Sequence, residues 1–162
     1  MPTKHTPEQR VQLIDRLRRF PDEWEALVSG LTDEELYTEF IPGEWSVAQN
    51  VHHVPDSHMN AYVRTHLILT EDKPPLKSYA QAEWAKLADY ELPIEPSLAI
   101  LRNLHIRWCA IFDSLSPADF ARVGIHSEYG EVSLDDILTT YNNHCDAHIE
   151  QVTRTLAAGR AK

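Results

Sequence analysis

Cysteine, glycine, basic charge and long apolar runs are all in short supply in this sequence, and each shortage removes a class of protein. Two cysteines among 162 residues, Cys109 and Cys145, cannot build a disulfide framework. Five glycines are too few for a turn-rich sheet protein. Fifteen Lys and Arg against 25 Asp and Glu leave a formal net charge of -10, which repels phosphate backbones and anionic lipid surfaces, and no local basic patch offsets it. Apolar runs extend for only a few residues, against the ~20 needed to span a bilayer, and the opening MPTKHTPEQR lacks the apolar stretch of a secretory signal. The expectation is a soluble, reduced, cytoplasmic protein that binds neither nucleic acid nor membrane. With 43% of its residues hydrophobic, the chain has enough material for one proper core, and no linker or repeat divides residues 1–162, so one domain is expected.

What the sequence does have is proline punctuation and helical periodicity. Thr6-Pro7-Glu8-Gln9 opens a helix with a capping residue and Pro at the first helical position, after which Val11, Ile14, Leu17 and Phe20 recur at helical spacing. Pro21 is expected to kink or end that helix, with Trp24, Leu27 and Leu31 adding a turn or two. Thr32-Asp33-Glu34-Glu35 is a capping box for a short helix, and Ser46-Val47-Ala48-Gln49 repeats the pattern at the start of a long one over 45–70. That helix carries an apolar stripe of Val47, Val51, Val54, His58, Tyr62 and Leu69 beside a polar stripe of Gln49, His53, Ser57, Asn60 and Arg64. Pro74 and Pro75 make 71–79 a loop, 80–90 reads as a short helix with Trp84, and Leu98 to Leu115 forms a third long amphipathic helix. Ser116 caps one further turn, 122–132 has the composition of an ordered loop or small hairpin, and Ser133 starts the last long helix. Four long amphipathic helices with short extra elements predict an all-α four-helix bundle.

Nine histidines are a surplus, and the sharpest local signal among them is His144-Cys145-Asp146-Ala147-His148. Residues at i and i+4 lie one above the other on a helix, so two imidazoles there can face one metal ion. A site with an open position needs a third donor from a neighbouring helix. His52, His53 and His58 are the candidates: periodicity nominates His58, His53 sits on the polar stripe, His52 points elsewhere, and spacing alone leaves the choice open. Cys109 and Cys145 read as buried packing thiols, since neighbours on a helix diverge by about 100°. His126, in the loop before the last helix, is within reach of a metal mouth, whereas His5, His66 and His105 carry no functional weight.

The stretch PGEWSVAQNVHHVPDSHMNAYVRTHLILTEDKP, followed by YAQAEWAKLADY, LHIRW and NHCDAHIEQ, resembles the DinB/YfiT-like family, its YfiT branch in particular, over about 42–152. The resemblance implies a four-helix bundle that binds a divalent metal, zinc or nickel, through three histidines: one eight residues after a tryptophan and two at i and i+4 on the last helix. In this sequence those are His53, His144 and His148. It further implies a hydrolase or a thiol S-transferase acting with a low-molecular-weight thiol, a small-molecule substrate and a homodimer. His58, Arg64, Trp84 and Arg107 match positions typical of the branch. Asp56, three residues after His53, is placed to accept from the His53 ring, and Asn60 with Arg64 could hold an anionic substrate. Pro55 departs from the family pattern, removing the amide that would pair with the Val51 carbonyl. The alternative reading is a non-catalytic bundle dimer whose histidines bind metal for stability alone, which a closed coordination shell would support.

Overall fold

The computed structural model describes residues 3–161; residues 1, 2 and 162 lie outside it. Most helices form where a capping residue precedes an amphipathic stripe, α4 and α5 starting without a side-chain cap. In order they are α1 (Pro7–Val28), α2 (Asp33–Tyr37), α3 (Val47–Thr70), α4 (Gln81–Trp84), α5 (Glu95–Asp113), α6 (Pro117–Phe120) and α7 (Leu134–Arg160). Thr6, Thr32, Ser46, Ser116 and Ser133 each accept from the backbone N–H three residues on. The side chain at that position, Gln9, Glu35, Gln49, Asp119 or Asp136, reaches back to the cap. Each reciprocal cap satisfies two otherwise orphaned donors, and a cap of this kind contributes ~1 kcal/mol.

The four long helices pack in a ring in which α1 neighbours α5 and α7, and α3 neighbours the same two. Consecutive long helices are therefore not always neighbours in the ring: α1 and α3 stand on one diagonal, α5 and α7 on the other. Inside the ring Leu17, Phe20 and Trp24 of α1, Val51 and Val54 of α3, Trp108 and Phe112 of α5, and Leu138 and Cys145 of α7 are fully or almost fully buried. The start of α7 is tied to α1 by Arg10, whose Nε and Nη2 donate to the two oxygens of Asp135 at 2.8 and 2.7 Å.

Three sequence expectations change. α1 does not end at Pro21 but continues to Val28, because Pro21, Trp24 and Val28 all bury their side chains and tertiary packing outweighs the one lost amide. The span 80–90 is not one helix but the single turn of α4 followed by a 3-10 turn at Ala88–Glu91. The loop 71–79 contains β1 (Pro75–Leu76), which pairs in parallel with β2 (Val123–His126), itself antiparallel to β3 (Gly130–Ser133). The hairpin alternative for 122–132 holds. Gly124 is required there, since a Cβ would sit 2.8 Å from the buried Leu76 side chain. Among the described residues no helix is long and apolar enough to cross a membrane.

Candidate metal centre

His144 and His148 lie one turn apart on α7, with ring centroids 4.4 Å apart, and His53 approaches from α3 at 5.3 Å from the first and 4.9 Å from the second. One nitrogen from each ring falls within 4.8 Å of the others. The triad lines a cavity of about 400 Å³ together with Gly43, Glu44, Trp45, Gln81 and Gln151. The mouth is shaped by a turn at Ile41-Pro42-Gly43-Glu44, closed by the Glu44 N–H donating to the Ile41 carbonyl at 3.1 Å with Gly43 at φ +80°. Proline then glycine at the two central positions is the type II pattern, in which only the second needs positive φ. This turn delivers Trp45, whose ring packs 4.8 Å from that of His53, and Glu44, whose carboxylate accepts from Arg154 at 2.6 Å.

All three imidazoles are held neutral. Burial pushes His53 down to about 3, with His148 adding repulsion. Burial, then His148 and His53, pushes His144 down to about 2, and burial alone brings His148 to about 4. Neutral imidazoles keep a lone pair for a metal. The Nε2 atoms of His53 and His144 stand 3.3 Å apart, and two nitrogens ~2.05 Å from one tetrahedral ion would be separated by about 3.3 Å. His148 donates through Nδ1 to Asn50 Oδ1 at 2.8 Å, while the Asn50 amide donates to the Ser46 carbonyl at 2.9 Å and so fixes which end of the amide faces the ring. The Nε2 of His148 is left unprotonated, with its lone pair open to a metal. His53 Nδ1 is buried without a hydrogen-bond partner among the described residues. The donor set therefore fits a divalent ion of the kind that prefers imidazole.

The structure brings His53, His144 and His148 together and places the other sequence candidates around them. His52 faces away, pairing with Ser97 and the Leu92 carbonyl at 2.8 and 3.0 Å. His58 lies behind the triad, fully buried, with Nε2 3.2 Å from His144 Nδ1 and Nδ1 2.7 Å from His105 Nε2. His105, to which the sequence reading gave no weight, is 1% exposed and donates onward to the Leu17 carbonyl at 2.6 Å. The expectation for Asp56 is corrected: its Oδ2 accepts from the Tyr90 hydroxyl at 2.8 Å and makes no hydrogen bond to His53, because Asp56 lies on the α3 face toward the Ala88–Glu91 turn. Asn60 donates to the Asp56 carbonyl. Arg64 lines a second and larger cavity, about 560 Å³, with His126, Tyr129 and Tyr141 among its other walls, and donates to the Lys77 carbonyl at 2.6 Å. Tyr141 joins the two regions, since its ring centroid is 5.7 Å from that of His144. Trp84 packs on Tyr79, Arg107 lies over Tyr62, and both cysteines are buried thiols. Sequence reasoning had no signal for Glu44, Gln81 and Gln151, which reach the cavity from separate elements.

Comparison with known proteins gives concordant results. The model of the DinB superfamily matches residues 16–152. Three curated relatives carry the name "Putative metal-dependent hydrolase". One from Oceanobacillus iheyensis is 41% identical over 86% of this chain and 81% of its own. One from Geobacillus thermodenitrificans is 47% identical over 75% and 69%. One from Geobacillus kaustophilus is 45% identical over 86% and 79%. Among solved structures, YfiT from Bacillus subtilis, described as a probable metal-dependent hydrolase with an unusual four-helix bundle topology, superposes with a TM-score of 0.90 at 34% identity, covering 94% of this chain and 88% of that one. A mycothiol-dependent maleylpyruvate isomerase has the same fold at a TM-score of 0.71 and 12% identity, covering 88% of this chain and 60% of that one.

Proposed function

The chain belongs to the DinB superfamily, and from that premise we propose that it is a metal-dependent enzyme whose divalent ion is held by His53, His144 and His148. The observation that carries this reading is the convergence of three neutral imidazole donors on the wall of a cavity rather than inside a closed shell. A closed set of four protein ligands would favour the purely structural alternative. Zinc and nickel suit imidazole donors, and such an ion supplies the Lewis acidity that acidifies a coordinated water or a low-molecular-weight thiol near neutral pH.

The chain's own residues set the rest. Trp45 and Gln81 wall the triad's cavity, and Glu44, its carboxylate held by Arg154, completes that side of the lining. Arg64 has no carboxylate partner among the described residues, and its guanidinium, steadied by the Lys77 carbonyl, keeps an uncompensated charge on the larger cavity to hold an anionic group of a small-molecule substrate. Asn60, one turn before Arg64 on α3, is the second group proposed for that substrate. Hydrolysis is the reaction that the names of the relatives favour, with thiol S-transfer as the second outcome at the same centre.

Elemental analysis of the purified protein tests the reading. Near-stoichiometric zinc or nickel is expected in the wild type and none in His53→Ala or His144→Ala, with circular dichroism showing that both variants remain helical. Metal retained in His53→Ala would reassign the third ligand, and a metal-free wild type after growth and reloading with either ion would overturn the proposal.

A further inference from the structure

A file of hydrogen bonds crosses the bundle behind the triad, and every long helix contributes one member. It runs from the Leu17 carbonyl on α1 to His105 on α5 (2.6 Å), to His58 on α3 (2.7 Å) and to Nδ1 of His144 on α7 (3.2 Å). That order follows the ring in which the helices pack. His58 and His105 are 0% and 1% exposed, enclosed by Phe20, Trp108 and Tyr141, with no carboxylate among the described residues hydrogen-bonded to either. Both are therefore neutral, with a single N–H each.

A carbonyl oxygen only accepts, so the proton of His105 is on Nδ1 and its Nε2 accepts. The nitrogen facing it, His58 Nδ1, must then carry the proton of His58, which leaves His58 Nε2 as an acceptor. Nδ1 of His144 must donate to that acceptor, and Nε2 of His144, 3.3 Å from Nε2 of His53, is left bare. Reversing the file is not an option, because the Leu17 carbonyl has no proton to give. We propose that His105 and His58 are positioning residues that pass the polarity of the Leu17 carbonyl across the bundle and fix His144 as the Nδ1–H tautomer with Nε2 aimed at the metal. The orienting partner of a metal-binding histidine is more often a carboxylate, a carbonyl or water. Here two further imidazoles intervene between ligand and carbonyl.

The inference rests on His144 being a metal ligand, but its first test does not need the metal. Long-range 15N–1H correlation spectra of the metal-free protein are expected to show His144, His58 and His105 each as the Nδ1–H form, the one that free neutral histidine disfavours. Two variants at the remote end supply the second test. His105→Gln can still donate to Leu17 through its amide and accept from His58 through its carbonyl, so it should keep the His144 tautomer and bind zinc within about threefold of wild type. His105→Leu removes the polarity and should give mixed His144 tautomers and roughly tenfold or greater loss of zinc affinity. A core variant matched for stability loss, Phe112→Leu, should leave both readouts unchanged. An Nε2–H form of His144 in the metal-free wild type overturns the relay while leaving the metal reading intact. Equal behaviour of the two His105 variants also overturns it. The expected tautomers in a wild type that takes up no metal would overturn the metal reading instead and leave the relay standing.

Discussion

A histidine in a protein interior is tolerated when each ring nitrogen finds a partner, and that requirement separates the histidines of this chain better than their spacing does. His52 and His105 have both nitrogens engaged by protein groups, as does His58. His148 has Nδ1 committed to Asn50 and Nε2 without a hydrogen-bond partner among the described residues, the asymmetry expected of a ligand. The Asn50 contact gives a direct prediction. Asn50→Ala removes the acceptor that holds the ring and should weaken zinc binding about 10–100-fold, read by competition with a chromophoric chelator, while the helical circular dichroism is retained. Unchanged affinity would show that the packing of α7 alone orients His148. The Nδ1 of His53, buried and without a hydrogen bond among the described residues, is held only by ring contacts with Trp45 and the other two histidines.

Helix ends were legible because their causes are local. Thr6, Thr32, Ser46, Ser116 and Ser133 announce themselves through a partner three residues on. Prolines were read less well, since their effect depends on what the helix buries. Pro21 leaves α1 continuous, and Pro55 sits inside an unbroken α3, itself buried, two residues past His53. Replacing Pro55 by Ala restores the amide that pairs with the Val51 carbonyl and relieves the ring's contact with that carbonyl, at the loss of some buried ring surface. We expect Pro55→Ala to raise stability by about 2 kcal/mol in urea titrations, with zinc affinity within twofold of wild type. A loss of affinity would mean that the proline aims the His53 turn. β1 was missed for a different reason: two residues containing a proline carry no periodic signal, and their pairing with Ile125 and His126 is formed across the fold.

At the scale of the whole molecule, the burial of so many imidazoles ties stability to pH. His105 is pushed down to about 4 by burial, partly offset by its bond to the Leu17 carbonyl, whereas an exposed histidine titrates near ~6.5. The unfolded chain therefore takes up the proton first. The sign follows: this stability is fully present above the unfolded value, and is lost as pH falls from about 6.5 toward the folded one. His53, His58, His144 and His148 are all shifted in the same direction by burial first. Urea midpoints of the metal-free protein should be level between pH 7 and 8 and fall steeply below about 6.5, each histidine adding up to ~1.4 kcal/mol per pH unit. A flat profile to pH 5 would show that the imidazoles titrate without unfolding the bundle.

The sequence by itself determined the all-α class, the helix starts and the two-histidine step on α7, because capping and the 3.6-residue period act within a few residues of one another. The resemblance of its motifs singled out His53, which periodicity ranked behind His58. Only the tertiary structure decided what surrounds those rings. Asp56 turned to Tyr90, Asn50 came to His148, Glu44 and Gln81 came to the cavity, and His105 became part of a file reaching the centre. Each of these pairings joins separate helices or loops, and no local rule encodes the ring in which α1, α5, α3 and α7 pack. Local chemistry chose the elements, and the burial of their apolar stripes against one another chose the neighbours.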